Sequence, residues 1–313
     1  MTRILVTGGS GFIGSHLVRA CLDRGGEVAV LSRPGSDPWR LADVADRITI
    51  RHVDPLDADA VAQLLRELAP ERVFLLAAAT RIAGDRDLAA MGEALRANVE
   101  PLRIMLDGLN GLERKPRAVI RTGTLAELAK DGSGREWPAG IYGLSILMGT
   151  HLARIWSREA GIPAITARLS LTYGGDQSRD FFVPEAIHAA LAGRLRAPQR
   201  PEAMRDLLHV GDVVAGLLRI ADHAARLPPV LNLSTGQPHR LADVTAEIAR
   251  LTGQARPPAS DAGSGAEDHV SLPPSPELLD LGWRQMIPIT QGLKQVIAWE
   301  TARNETPTSR RTA

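Results

Sequence analysis

The chain has 313 residues, with Lys+Arg 37 against Asp+Glu 36, a net charge of +1 and one cysteine. Balanced charge with scattered arginines argues against a nucleic-acid partner. The single Cys21 excludes an intramolecular disulfide framework, and no apolar run is long enough to span a bilayer.

The length fits one large domain with a smaller lobe. The chain begins directly on a strand pattern with no leader segment, so a soluble, cytoplasmic protein is expected. Residues 3–7 read as a strand and Gly8-Gly9-Ser10-Gly11-Phe12-Ile13-Gly14 as a glycine turn. Residues 12–24 read as an amphipathic helix, with Phe12, Ile13, Leu17, Val18, Cys21 and Leu22 at helical spacing. In this order Gly8 permits a tight turn, Gly11 admits a diphosphate to the backbone, and Gly14 lets helix and sheet approach. The helix N-terminus then faces an anion, which points to a dinucleotide.

Residues 27–31 form the next strand, ending at Ser32-Arg33. An acidic residue there would hold the adenosine ribose of NAD. A neutral residue followed by arginine suits a 2′-phosphate instead, so NADP(H) is favoured over NAD(H), with a solvated Arg33 as the plain alternative. A third strand over 48–53 leads to Asp54, placed to read an adenine amino group, and Asp57 caps a helix over 58–68. A fourth strand over 72–76 is followed by Ala77-Ala78-Ala79-Thr80. These small residues let a ribose and nicotinamide lie against the backbone, although tight packing explains them equally.

Residues 88–109 read as one long helix with Asn98 inside, where asparagine is mildly unfavourable. A fifth strand over 118–121 runs into Thr122-Gly123-Thr124, whose hydroxyls fall at a carboxyl edge where ligands bind in open α/β sheets. A helix over 142–160 and a strand over 164–169 complete an alternation that predicts a doubly wound parallel sheet with helices on both faces.

After Tyr173 the rhythm breaks. Helices are expected over 184–192, 213–224, 241–251 and 289–302, with a strand over 230–233. The 241–251 helix would be capped by Ser234 or by the His239-Arg240 turn. Residues 257–265 read as a flexible stretch. The resulting division is a dinucleotide-binding domain over 1–172, a smaller α/β substrate lobe over 173–303 with some segments returning to the main sheet, and a disordered tail over 304–313.

These motifs together resemble the extended short-chain dehydrogenase/reductases, the NAD-dependent epimerase/dehydratase group acting mainly on nucleotide-linked sugars. Thr7-Gly8-Gly9-Ser10-Gly11-Phe12-Ile13-Gly14 is similar to TGGxGFIG, Leu76-Ala77-Ala78-Ala79 to HLAA, and Asn98-Val99 to the helical asparagine that follows. Tyr142-Gly143-Leu144-Ser145 resembles the start of YGxSK. Arg168-Leu169 with Tyr173-Gly174 is similar to LRxxxxYG, Arg205 to Asp212 to RDxxHVxD, Asn232 to Gly236 to NxxxG, and Leu281-Gly282-Trp283 to LGW. The resemblance implies a Rossmann-type fold with cofactor contacts at Gly8, Gly11, Phe12, Ile13, Gly14, Ser32, Arg33, Asp54, Leu56, Leu76, Ala77, Ala78, Asn98, Thr122 and Tyr142. Substrate contacts are implied at Thr80, Thr124, Tyr142, Phe182 and Arg205, with no metal. A homodimer through the helices at 88–109 and 142–160 is implied as well.

Tyr142 matches the family's catalytic acid/base and Thr124 its hydroxyl partner, but the lysine position is Ile146. A free tyrosine has a pKa of about 10, and a nearby ammonium normally favours its phenolate. Isoleucine supplies no such charge. A second departure follows Thr124. The dehydratases carry Asp-Glu there, and this chain has Leu125-Ala126, with Glu127 only later. Keto-reduction or epimerisation is therefore expected rather than 4,6-dehydration. The alternative is a non-redox member of the fold, a binding protein or an isomerase or cyclase, since fold does not fix function. Arg205 suits a substrate diphosphate unless Asp206 or Asp212 pairs with it. His209 is expected to be structural.

Overall fold

The larger sheet is laid out from β1 (Arg3–Thr7), whose Leu5 and Val6 are fully buried. The computed structural model describes residues 1–129, 133–258 and 269–305. A glycine turn leads to α1 (Phe12–Asp23), then β2 (Glu27–Ser32), a 3-10 segment at Trp39–Arg47 and β3 (Ile48–His52). Helix α2 (Ala58–Leu68) begins where the Asp57 carboxylate accepts from the Ala60 N–H at 3.0 Å, as its sequence implies. Strand β4 (Arg72–Leu75) follows.

The segment expected as one regular helix over 88–109 is not regular. It opens as a 3-10 turn (Leu88–Ala90), becomes α3 (Met91–Ala94), widens into a π-turn over Leu95–Val99 and resumes as α4 (Glu100–Asn110). The widening coincides with Asn98, whose side chain is engaged outside the helix, and π-turns are commonly found at functional positions.

Next come β5 (Ala118–Thr124), α5 (Gly140–Ala160), β6 (Ala164–Leu169) and β7 (Leu171–Tyr173). The rest of the chain supplies α6 (Phe182–Leu191), β8 (Met204–His209), α7 (Val210–His223), β9 (Val230–Leu233), β10 (Pro238–Arg240), α8 (Leu241–Leu251), β11 (His269–Val270), α9 (Pro276–Asp280) and α10 (Ile289–Glu305).

Seven parallel strands run in the order β3-β2-β1-β4-β5-β6-β9. The order reverses at β1, which lies between β2 and β4 and opens a crevice at their carboxyl ends. Residues buried on both faces make these strands read as apolar runs. Ile4 and Val6 pack with Leu17 of α1 and Leu217 of α7 on one face. Leu5 packs with Leu65 of α2, Leu106 of α4 and Ala153 of α5 on the other. This is the two-sided cover that the alternation predicts. Cys21 lies in the first of these layers, and burial pushes its thiol up to about 12.

Strand β9, from the later part of the chain, pairs in parallel with β6 at one edge of the main sheet. A second sheet, unforeseen from the sequence, pairs β8 in parallel with β7 and β11 and antiparallel with β10. Its core joins Tyr173, Val183, Ile187, Leu207, Ile248 and Leu293.

Several expected boundaries shift. The helix expected at 213 starts at Val210, where His209 Nδ1 accepts from the Gly211 N–H at 3.1 Å. Helix α8 has Arg240 at its N-cap with no side-chain cap bond, and the Ser234 hydroxyl donates to the Leu272 carbonyl instead. Helix α10 continues past 302 to Glu305, so the start of the expected tail is helical. Residues 306–313 lie outside the described residues, as do 259–265 of the expected flexible stretch.

Candidate active site

The glycine turn is shaped by contacts that leave no room for side chains. Gly8 sits at φ +69°, and a Cβ there would come within 2.6 Å of the Ala77 N–H nitrogen. A Cβ at Gly14 would strike the Gly8 carbonyl. The Gly11 N–H donates to Gly8 O at 3.0 Å, which closes the turn before α1. Phe12 meets His16 edge-on at 5.7 Å, and Phe12 and Ile13 pack against the α1–α7 layer. Arg40 holds the turn from outside, reaching Ser10 O at 3.5 Å and the Asp176 carboxylate at 3.2 Å.

At the end of β2, Ser32 is buried and its hydroxyl has no partner among the described residues. Arg33 is exposed, and its carbonyl lies 3.4 Å from His52 Nδ1. Asp54 Oδ1 accepts from the Leu56 N–H at 3.0 Å, which shapes the turn after β3. Leu76 donates its N–H to Thr7 O at 3.1 Å, while Ala77, Ala78 and Thr80 are exposed along the crevice. An orphaned buried hydroxyl at Ser32, a glycine turn with no side chain over its backbone, and exposed residues at Ala77-Ala78 all fit a dinucleotide lying across β1 and β4.

Asn98 does not project into the crevice. Its Oδ1 accepts from the Ala79 N–H at 2.7 Å, and its Nδ2 donates to Ala79 O at 3.1 Å and to Ser145 Oγ at 3.0 Å. Ser145 in turn donates to Tyr142 O at 2.8 Å. The asparagine thus ties the loop after β4 to the helical turn carrying Tyr142.

The structure brings Thr124 and Tyr142 together, with the Thr124 side chain close enough to act on the Tyr142 phenol. Thr122 stands partly exposed on the same strand. Thr124 also caps a short 3-10 turn, accepting from the Ala126 N–H at 3.2 Å. Asp85 fixes the start of α5 from the loop after β4, its carboxylate accepting from the Tyr142 N–H at 2.6 Å. Burial pushes the Tyr142 phenol above its ordinary value. The Thr124 hydrogen bond and Arg121 pull it down, while Glu127 and Asp85 push it up. Ile146 is 2% exposed and apolar among its neighbours, so no cation stands at that position.

A buried charge network missed by the sequence reading lies beneath this pair. Glu127, fully buried, accepts from the Thr124 N–H at 2.9 Å, from Thr150 Oγ1 at 2.8 Å and from Arg168 Nε at 3.0 Å. Arg168 also bonds Glu136 at 2.6 Å, and Arg121 reaches Ile146 O and Thr150 Oγ1. The available signal was a lone arginine in each of two apolar strands, Arg121 in β5 and Arg168 in β6.

Phe182 and Arg205 converge elsewhere, in a cleft of about 800 Å³ that Phe181, Arg194, Arg196 and Arg200 also line. Arg205 donates to the Met204 carbonyl at 2.9 Å. The two carboxylates expected as its rivals are engaged elsewhere. Asp206 accepts from the Thr235 and Gly236 N–H groups, and Asp212 from those of Met286 and Ile287. Among the described residues no group of His, Cys, Asp and Glu is arranged to hold a metal, and no helix is long and apolar enough to cross a membrane.

Comparison with known proteins agrees with this layout. The chain is 24% identical over 333 residues to dTDP-glucose 4,6-dehydratase of Haemophilus influenzae, covering 96% of this chain and 98% of the relative. It is 31% identical over 234 residues to the Mycolicibacterium smegmatis dTDP-glucose 4,6-dehydratase, covering 70% and 68%. The crystal structure of a Thermotoga maritima UDP-glucose 4-epimerase with UDP-glucose superposes with a TM-score of 0.84 at 22% identity, covering 96% and 99%. A family model, the NAD dependent epimerase/dehydratase family, matches residues 4–234. With glycine turn, switch-point crevice and Thr–Tyr pair in one frame, the chain belongs to the NAD dependent epimerase/dehydratase family.

Proposed function

We propose that this chain reduces a keto group on a nucleotide-linked sugar, alone or as the return half of an epimerisation, rather than eliminating water from the sugar. The observation that carries this reading is the Tyr142–Thr124 pair with Leu125-Ala126 immediately after it. Dehydration across C5–C6 needs an acid and a base beside the hydroxyl-bearing strand end. Leu125 is buried and apolar, Ala126 has no ionisable group, and the Glu127 carboxylate is spent on Thr124, Thr150 and Arg168. The relatives named as dehydratases therefore lend this chain their family rather than their reaction.

Bound across Gly8, Gly11 and Gly14, a reduced nicotinamide dinucleotide would supply a hydride equivalent for a carbonyl carbon. Thr124 and Tyr142 hydrogen-bond the developing alkoxide, and Tyr142 gives it a proton. A phenol pushed up by burial is already in the protonated form that this direction needs. Ser32 and Arg33 support acceptance of NADP(H) alongside the NAD(H) of the family, since no acidic residue ends β2. The cleft at Phe182 and Arg205, ringed by arginines, suits the nucleoside diphosphate. Leu88 on its 3-10 turn and Met148 and Ile155 on α5 are exposed, which supports homodimerisation through that face.

The test is incubation with a nucleoside-diphosphate 4-keto-6-deoxyhexose and each reduced dinucleotide. The reading expects dinucleotide oxidation that depends on the keto sugar. Release of a 4-keto-6-deoxy product from a nucleoside-diphosphate hexose would overturn it. Failure to bind any dinucleotide would favour the non-redox alternative that Ile146 raises.

A further inference from the structure

Helix α5 carries Tyr142 in its first turn and opens without a cap of its own. Its N-cap position is Ala139, whose side chain makes no hydrogen bond, so the first N–H groups need acceptors from elsewhere. Asp85 supplies them from the loop after β4, 57 residues upstream of Tyr142. Its carbonyl accepts from the Ile141 N–H at 2.7 Å and its carboxylate from the Tyr142 N–H at 2.6 Å. With Gly140 as the first helical residue, these are the second and third N–H groups, the ones an N-cap side chain ordinarily serves. Gly140, at φ +95°, makes room for the approach, because a Cβ there would come within 2.9 Å of the Asp85 carboxyl carbon.

The loop is built to hold that carboxylate in place. Gly84, at φ +68°, turns the chain, and the Asp87 N–H donates to the Gly84 carbonyl at 2.6 Å, closing a turn around Asp85. Ile82 anchors the loop in a small buried cluster with Ala90, Ala94 and Ile141, against which Ala79 and Tyr142 pack. A second grip on the helix start comes from β5. The Ala139 N–H donates at 3.1 Å to the carbonyl of Ala126, on the 3-10 turn that Thr124 caps. Gly143 permits this approach, since a Cβ there would strike the Ala126 carbonyl. The first turn of α5 is therefore held both by the strand end bearing Thr124 and by the loop bearing Asp85.

We propose that Asp85 is a positioning residue for the reaction: by capping α5 from the loop after β4, it sets where Tyr142 stands relative to Thr124 and ties that placement to the loop lining the crevice. This deepens the proposed function and rests on Tyr142 being its proton donor. Ala77, Ala78 and Thr80 are exposed along the crevice at the head of this loop, and Asp85 joins its far part to the backbone of the tyrosine. A cap from the helix itself would satisfy the same N–H groups but leave the loop untied. A proton donor displaced by about an ångström from the sugar oxygen loses much of its effect, while the grip of the glycine turn on a dinucleotide is untouched. Asp85 thus acts through the backbone of Tyr142.

The first readout needs neither dinucleotide nor substrate, so this inference can fail while the reductase reading stands, and the reverse. The chain has two tyrosines, and Tyr173→Phe removes a buried hydroxyl with no partner among the described residues. In that background, difluorotyrosine at position 142 lets fluorine NMR report the placement of this one ring. Asp85→Ala is expected to shift or split the resonance. In single turnover with a nucleoside-diphosphate 4-keto-6-deoxyhexose it is expected to slow reduction about 10- to 100-fold, with dinucleotide affinity held. Asp85→Asn, an equal N-cap acceptor, is expected to return resonance and rate to those of the parent. Adding Ala139→Asp to Asp85→Ala puts a cap on the helix itself. The urea midpoint is then expected to recover, while the resonance and the rate stay displaced. A parent-like resonance in folded Asp85→Ala would overturn the assignment, as would an Asp85→Asn protein that behaves like Asp85→Ala. Recovery of the resonance on adding Ala139→Asp would show that Asp85 is only a cap, and would overturn it equally. Should Asp85→Ala alone not fold, the pair with Ala139→Asp carries the same test.

Discussion

Asn98 closes on Ala79 through both backbone groups of that residue, accepting from its N–H at 2.7 Å and donating to its carbonyl at 3.1 Å. One amide thereby fixes the loop after β4, and through Ser145 it fixes the turn of α5 that carries Tyr142. Asn98→Ala leaves the Ala79 groups and the Ser145 hydroxyl without their partner and is expected to cost about 2 kcal/mol of stability. Urea unfolding checks that figure. Calorimetry of the folded variant should show weaker dinucleotide binding, because the loop loses its tether.

Tyr142→Phe removes only the phenol hydroxyl beside Thr124. Keto-sugar reduction is expected to fall about 100- to 10,000-fold, the usual span for losing a general acid. Dinucleotide affinity should be nearly unchanged, and steady-state kinetics with calorimetry separates the two.

Arg205→Ala should weaken binding of a nucleoside diphosphate about 10- to 100-fold, the loss of a charge-assisted hydrogen bond, and leave dinucleotide binding intact. Competition between the two ligands for Arg205 would contradict the separation of the arginine-lined cleft from the crevice at β1 and β4.

At the end of β2, Arg33→Glu is expected to turn any acceptance of NADP(H) into a preference for NAD(H) of about tenfold or more, read by calorimetry with all four dinucleotides. Equal affinities before and after the change would mean that Arg33 is only a solvated loop residue.

His209 gives the acid side of the stability profile. Burial lowers its pKa from 6.5 to about 4, and its Nδ1 must stay unprotonated to accept from the Gly211 N–H at the start of α7. The unfolded chain binds the proton first, so stability falls as pH drops from about 6.5 toward about 4 and levels off below. The loss is expected to be at most about 3 kcal/mol across that window. His209→Asn keeps an N-cap acceptor without the titration. Its urea midpoint should change less between pH 7 and pH 5 than that of the parent.

What the sequence could show was local. The glycine turn, Asp57 ahead of α2, and the apolar runs of β1 and β6 each carry their signal within a few residues, and the structure follows them closely. The second sheet was hidden because β8, Met204–His209, mixes Arg205 and Asp206 into a short strand. Its partners β10 and β11 lie some thirty and sixty residues further on in the chain, so no alternation survives to announce it. The long helix failed at Asn98 for a similar reason, since the bond that widens it goes to Ala79. The Thr124–Tyr142 pair was legible as two motifs. The charges beneath it were not, because Arg121, Glu127 and Arg168 meet only when β5 pairs with β6 and α5 covers them.

The most direct test of the account follows deuterium from a dinucleotide labelled at the nicotinamide C4 into a nucleoside-diphosphate 4-keto-6-deoxyhexose, in a single turnover with the parent and with Tyr142→Phe. The account predicts one deuterium on the reduced sugar carbon with the parent chain, and a transfer slowed at least about 100-fold in the variant. A sugar that gains no deuterium, or a transfer indifferent to Tyr142, would contradict it.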